Sequence, residues 1–243
     1  MKRRVNRAQE LIEIGKRKRL NDKPSSRVYE KHCISTRAFK ERMVWTISPK
    51  KHASEKYILY LHGGGYVNGF SGLHWQFMSN LVTALGCTVV APDYPLTPEH
   101  QVQDTFDMVF PLYEELLIAA DSSNLIVMGD SAGGGMGLAL TMQARDKSIE
   151  QPSDLVLLSP WLDVTMINPD IKKSISWILF STFKDCSIWA KFTRAKRTRH
   201  AYLLIRQKFA YLCIPLHPSG GTFSLLYFKF RTGSIFIPRP LHW

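Results

Sequence analysis

The sequence predicts an α/β fold: a mostly parallel, doubly wound sheet with an N-terminal helical cap. Three observations predict it. Four short apolar runs, at 57–61, 87–91, 125–128 and 155–158, are continuous rather than alternating, as strands buried on both faces must be. Stretches of helical spacing lie between them, and alternation of strand with helix is the pattern of a parallel sheet. From about residue 171 the rhythm stops, and the rest of the chain sustains neither a strand period nor a helix period.

Taken in order, residues 8–19 (AQELIEIGKRKR) place Leu11, Ile12 and Ile14 on one side of a short amphipathic helix. RVYEKHCIS (27–35) and RMVWTIS (42–48) are β-rich and read as a hairpin. YILYL (57–61) is a buried strand ended by glycines, and HWQFMSNLVTAL (74–85) is a helix. CTVVA (87–91) is the next strand; residues 101–120 form a helix that Pro111 should kink. LIVM (125–128), a Gly- and Ala-rich helix over 132–145 and LVLL (155–158) complete the series. Right-handed crossovers place the functional edge at the carboxyl ends of such strands, where both His62–Gly65 and Ser131 fall. The expected division is a cap region at 1–27, an α/β core at 28–170 and a tail at 171–243.

Charge supports that division. Residues 1–56 hold 17 basic and 6 acidic residues, and residues 57–170 hold 2 and 13. Residues 171–243 carry 13 basic residues and a single acid, Asp185, so the net charge of +12 resides in the tail. Such an abrupt change is what translation in a shifted reading frame would leave; an unusual natural domain is the alternative. A basic N-terminal segment can be a membrane-surface or nucleic-acid footprint. The simpler expectation is a solvated cap on an acidic core, with no specific nucleic-acid partner. No run of eighteen apolar residues exists, so no transmembrane segment is expected, and the basic start is not followed by the apolar stretch of a secretory signal. Cys33, Cys87, Cys186 and Cys213 form no C-x-x-C pair and no metal spacing. A cytoplasmic protein without a metal site is expected.

The chemistry lies in two glycine-rich turns. Gly129-Asp130-Ser131-Ala132-Gly133 follows a strand and opens a helix, the context of a nucleophile elbow. Ser131 is the candidate nucleophile, which needs a base to take its proton. Gly129 and Gly133 give room for the turn, and the helix N-terminus adds partial positive charge near a developing oxyanion. The alternative is a plain glycine turn before a helix. In LYLHGGGY (59–66) the glycines Gly63, Gly64 and Gly65 directly follow a strand. They let backbone amides approach a ligand closely. A phosphate-binding loop is the rival, but neither G-K-[ST] nor G-x-G-x-x-G follows. His62 reads as an orienting loop residue rather than the base.

HGGGY (62–66), DYPLTPEH (93–100), GDSAGG (129–134) and SPWLD (159–163), in this order, resemble the hormone-sensitive-lipase-like branch of the α/β-hydrolases. The resemblance covers roughly residues 28–170. It implies an α/β-hydrolase fold and a serine carboxylesterase that cleaves short-acyl or acetyl esters of small molecules, without a cofactor. It implies Ser131 as nucleophile and Gly63, Gly64 and Ala132 as oxyanion donors. His62, Gly65, Asp130 and Gly133 support the motifs, and Glu99, His100 and Asp163 usually serve structure. Pro95 stands where the family usually has arginine, which should remove an ion pair.

In this family the acid and the histidine follow the serine, on loops after the last two strands. LVLL counts as the sixth of eight strands, and the pattern ends directly after it. Asp185, His217 and His242 meet the order formally, as does His200, yet none has a strand and turn to aim it. The expectation is an esterase-like chain impaired in its triad. The alternative is a non-catalytic binding protein or truncated pseudoenzyme on the same fold. Oligomeric state is not legible.

Overall fold

The computed structural model describes residues 20–164, 213–215 and 222–229. The expected helix at 8–19 lies outside these residues. The chain runs through α1 (Ser26–Lys31), β1 (His32–Phe39), β2 (Arg42–Pro49), β3 (Tyr57–Leu61), α2 (Gly72–Leu85) and β4 (Thr88–Pro92). It continues through α3 (Val102–Ala120), β5 (Leu125–Asp130), α4 (Ser131–Asp146), β6 (Asp154–Leu158), β7 (Cys213–Pro215) and β8 (Thr222–Lys229). All strands join one sheet in the order β1-β2-β4-β3-β5-β6-β8-β7.

The centre matches the expectation: β4, β3, β5 and β6 are parallel neighbours. Their continuous apolar character has a direct cause. In β3, Leu59 and Leu61 enter a cluster with Val109, Leu112 and Tyr113 of α3 and Leu140 of α4. Ile58 and Tyr60 enter a second cluster with Trp75, Met78 and Val82 of α2. Successive side chains of a strand point to opposite faces, so a strand with helices on both sides must be apolar at every position.

One expectation needs correction. RVYEK is not the start of a strand; it is the helix α1, and β1 begins only at His32. The hairpin itself stands, with His32 opposite Pro49 and Phe39 opposite Arg42. The helix over 102–120 contains Pro111 in its interior and is continuous through it. Pro111 lacks an amide, but the helix face around it is held by buried Met108, Phe110, Leu112 and Tyr113.

On the sheet's far side an apolar stretch of the tail lies on the edge of β6, in place of the two strands that the sequence pattern lacks. The sheet does not end at β6: β8 pairs with it, Asp154 opposite Lys229 and Leu158 opposite Leu225, and β7 pairs with β8. Both pairings are antiparallel, like β1–β2 and β2–β4 at the other side, whereas β4, β3, β5 and β6 between them are parallel. A strand edge presents a row of unpaired amides and carbonyls, and any extended segment of the chain can satisfy them. The tail therefore covers the edge of β6 in the opposite direction to the sheet's parallel centre.

Candidate active site

Leu61, the last residue of β3, lies in register with Gly129, near the end of β5. The glycine turn after β3 and the serine turn after β5 therefore leave the sheet side by side. Parallel pairing of two strands is what brings together residues nearly seventy positions apart.

Ser131 is the first residue of α4 and has φ +49, a left-handed backbone that non-glycine residues rarely adopt. The tightness of the turn explains its glycines. A Cβ on Gly133 would meet the carbonyl oxygens of Leu61 and His62, and one on Gly129 would meet Gly133. The Ser131 carbonyl accepts from the Trp161 amide at 2.7 Å. Its hydroxyl has no hydrogen-bond partner among the described residues. Ala132 lies in the first turn of α4, where amides have no acceptor within the helix.

The glycine turn carries three successive left-handed residues, Gly64 (φ +119), Gly65 (φ +65) and Tyr66 (φ +63). The amides of Val67 and Asn68 close it onto the Gly64 carbonyl at 3.2 and 3.0 Å. Thr97 donates to the Tyr66 carbonyl through its amide (2.8 Å) and hydroxyl (3.1 Å). His62 is fully buried, stacked on Tyr94 with ring centroids 4.2 Å apart, and its Nδ1 donates to the Gly63 carbonyl at 2.7 Å. Nε2 of the same ring is buried with no partner. Burial pushes its pKa down to about 4, so the ring is neutral at pH 7.

Asp130 joins the two turns. Its Oδ1 accepts from the Tyr60 hydroxyl at 2.7 Å and from the Gly63 amide at 2.8 Å, and its Oδ2 lies 3.5 Å from His74 Nε2. The Ser71 amide donates to His74 Nδ1, which leaves the hydrogen of the neutral ring on Nε2, facing Asp130. Burial opposes ionisation of Asp130, but hydrogen bonds from His74 and Tyr60 outweigh it and hold the carboxyl below the usual range.

This geometry revises one expected role. The Gly63 amide is committed to Asp130 and is not available to a substrate oxygen. The amides of Gly64 and Gly65 have no acceptor among the described residues. Gly65, expected only to support the motif, thus has the free amide that Gly63 lacks. The sequence signal for this was Asp130 itself, a carboxylate beside the serine with no evident use.

The loop at 93–100 keeps its arginine from another place. Arg42, on β2, donates to the carbonyls of Asp93 (2.9 Å) and Tyr94 (3.3 Å) and lies 3.5 Å from the Asp93 carboxylate. An ion pair is therefore present although Pro95 occupies the usual arginine position. His100 lies 3.8 Å from Asp104, and the Asp163 carbonyl accepts from the Trp161 indole at 3.0 Å.

Asp185, His200, His217 and His242 lie outside the described residues. Four of the described histidines are engaged elsewhere: His32 with Ser79, His62 with Gly63, His74 with Ser71 and Asp130, His100 with Asp104; the fifth, His52, is exposed in the loop between β2 and β3. No cluster of metal-binding side chains occurs among the described residues, and no described helix is long and apolar enough to cross a membrane.

A serine with left-handed backbone between a strand and a helix, beside a glycine turn with free amides, is the arrangement that the α/β-hydrolase resemblance implied. The family profile for the alpha/beta hydrolase fold matches residues 58–215, and the chain belongs to that family. An esterase of Acinetobacter venetianus is 33% identical over 116 residues, which are 47% of this chain and 38% of that protein. An acetyl-hydrolase of Streptomyces hygroscopicus is 33% identical over 108 residues, 44% of this chain and 36% of that one. The chain thus spans less than half the length of these curated relatives. A Staphylococcus aureus structure provisionally assigned as an esterase superposes with a TM-score of 0.69 at 29% identity, over 79% of this chain and 65% of that one.

Proposed function

We propose that the protein is a carboxylic ester hydrolase for small short-acyl esters, with Ser131 as nucleophile and no metal or organic cofactor. The observation that carries this is the pairing of Ser131, at φ +49 with an unpartnered hydroxyl, with the free amides of Gly64 and Gly65 one strand away. Ser131 attacks the ester carbonyl, and the oxygen that becomes negative is received by the amides of Gly64, Gly65 and Ala132. Each such donor contributes about 3 kcal/mol of transition-state stabilisation in well-studied cases. Collapse expels the alcohol and leaves an acyl-enzyme, which water then cleaves. The names of the relatives, an esterase and an acetyl-hydrolase, support the reaction class.

The core carries this half of the machinery, and the acid and histidine that would complete a triad have no recognisable counterpart after it; Asp185, His217 and His242 meet the chain order only formally. Turnover is accordingly low, since loss of a triad member leaves on the order of 10³–10⁴ over water in the best-studied serine proteases. The test is reaction of the full chain with a fluorophosphonate, followed by mass spectrometry, alongside turnover of p-nitrophenyl butyrate. Labelling at Ser131 with slow turnover, both lost in Ser131→Ala, is the expected result. Turnover unchanged in Ser131→Ala would overturn the reading, and ordinary turnover abolished by His217→Ala or His242→Ala would assign the base. The tail's change of composition belongs to the same proposal as a shifted reading frame, which early stop codons in both other frames after codon 170 would refute.

A further inference from the structure

The two residues that flank Ser131 in the chain are each hydrogen-bonded to the glycine turn, one to each of its ends. Ahead of the serine, the Asp130 carboxylate accepts from the amide of Gly63, where the turn begins. After the serine, the Ala132 carbonyl accepts from the hydroxyl of Tyr66, where the turn ends, at 2.7 Å. Gly64 and Gly65, with the free amides, are the two residues between these anchors. We infer that Asp130 and Tyr66 are positioning residues, forming a double brace that fixes the Gly64 and Gly65 amides relative to the Ser131 hydroxyl.

The physical need for a brace is visible in the backbone. Three consecutive left-handed residues form no regular ladder, and left-handed backbone costs roughly 1–2 kcal/mol for a non-glycine residue such as Tyr66. Such a segment keeps one geometry only where its surroundings over-determine it. Both anchors are held in turn. Asp130 is fixed by Tyr60 from β3 and faces His74 from α2, and the Tyr66 ring lies 5.9 Å from that of Trp161, whose amide holds the Ser131 carbonyl. The turn and the elbow therefore move as one body rather than as two adjoining loops. A misplacement of about 1 Å between reacting groups can cost on the order of 100-fold in rate, so such coupling matters for an oxyanion site.

The inference rests on the esterase reading, and two measurements separate its failure from that of the reading. Wild type, Tyr66→Phe, Asp130→Asn and Asp130→Leu are compared by the rate constant of fluorophosphonate labelling at Ser131 and by amide hydrogen exchange across residues 62–67. Tyr66→Phe removes one hydroxyl without changing shape, and Asp130→Asn keeps an oxygen for the Gly63 amide. The expected result is labelling slowed about 10-fold or more in Tyr66→Phe and Asp130→Leu, with Asp130→Asn nearer to wild type. Exchange at 62–67 rises in the same two variants while that of β4 and α3 stays unchanged. Absence of labelling in wild type would defeat the esterase reading and leave exchange to decide the brace. Exchange at 62–67 in Tyr66→Phe equal to that of wild type would overturn the brace, with or without labelling.

Discussion

The turn after β3 and the turn after β5 begin as equals and are held in opposite ways. Both follow apolar parallel strands, both are rich in glycine, and both contain left-handed backbone. The serine turn is short and is gripped by immediate contact, with Gly129 packed on Gly133 and Gly133 on the backbone of β3. It leads at once into a helix of sixteen residues that fixes its direction. The glycine turn has no helix directly behind it. It is held by side chains that come from elsewhere: Tyr94 on His62, Thr97 on Tyr66, Asp130 on Gly63. One turn is fixed by the absence of side chains, the other by the presence of distant ones.

The largest way to break this contrast is Gly133→Ala. The new Cβ would collide with two carbonyl oxygens of backbone, which cannot step aside as a flexible side chain could. A loss of about 3 kcal/mol or more is expected, read as a shift of the urea midpoint together with lost phosphonate labelling. Wild-type stability in that variant would show that the contact is not tight.

The distant supports of the glycine turn are probed by pH. His62 has an ordinary pKa of 6.5 and a folded value of about 4, because burial penalises its charged form. Unfolding therefore takes up a proton in this window. The stabilisation is complete above pH 6.5 and is lost as pH falls toward 4, with a full extent of about 3 kcal/mol. His32, also lowered by burial, acts with the same sign. Asp130, held below its ordinary value, loses its contribution only at pH values under that range. Urea midpoints measured from pH 7 to pH 4.5 should fall, and the slope should be shallower in His62→Gln. Identical slopes in the two proteins would remove His62 as the cause.

The smallest effect sharpens the contrast from the other side. A Cβ at Gly65 meets only Val67 Cγ2, at 3.7 Å, so Gly65→Ala is opposed by φ +65 alone. The expected loss is about 1 kcal/mol by thermal melting, well under that of Gly133→Ala. Equal losses at the two glycines would mean that the turns are held in the same way.

What the sequence determined by itself is the local and the periodic. Continuous apolar runs announced β3 to β6, because a strand covered on both faces cannot alternate, and G-x-S-x-G after such a run announced the elbow, because only glycines fit around Ser131. Tertiary structure decided every question of partnership. It assigned the Gly63 amide to Asp130, so that Gly65 rather than Gly63 has a free amide in the turn. It supplied Arg42 from β2 to the loop where Pro95 replaces the usual arginine, and it turned RVYEK into α1. It also laid β8 against β6 in the antiparallel sense, in a tail without a readable period. A residue's backbone preference is set by its neighbours in the chain, but a hydrogen bond joins whichever groups the packed sheet and helices bring within about 3 Å, and that distance is not written in sequence order.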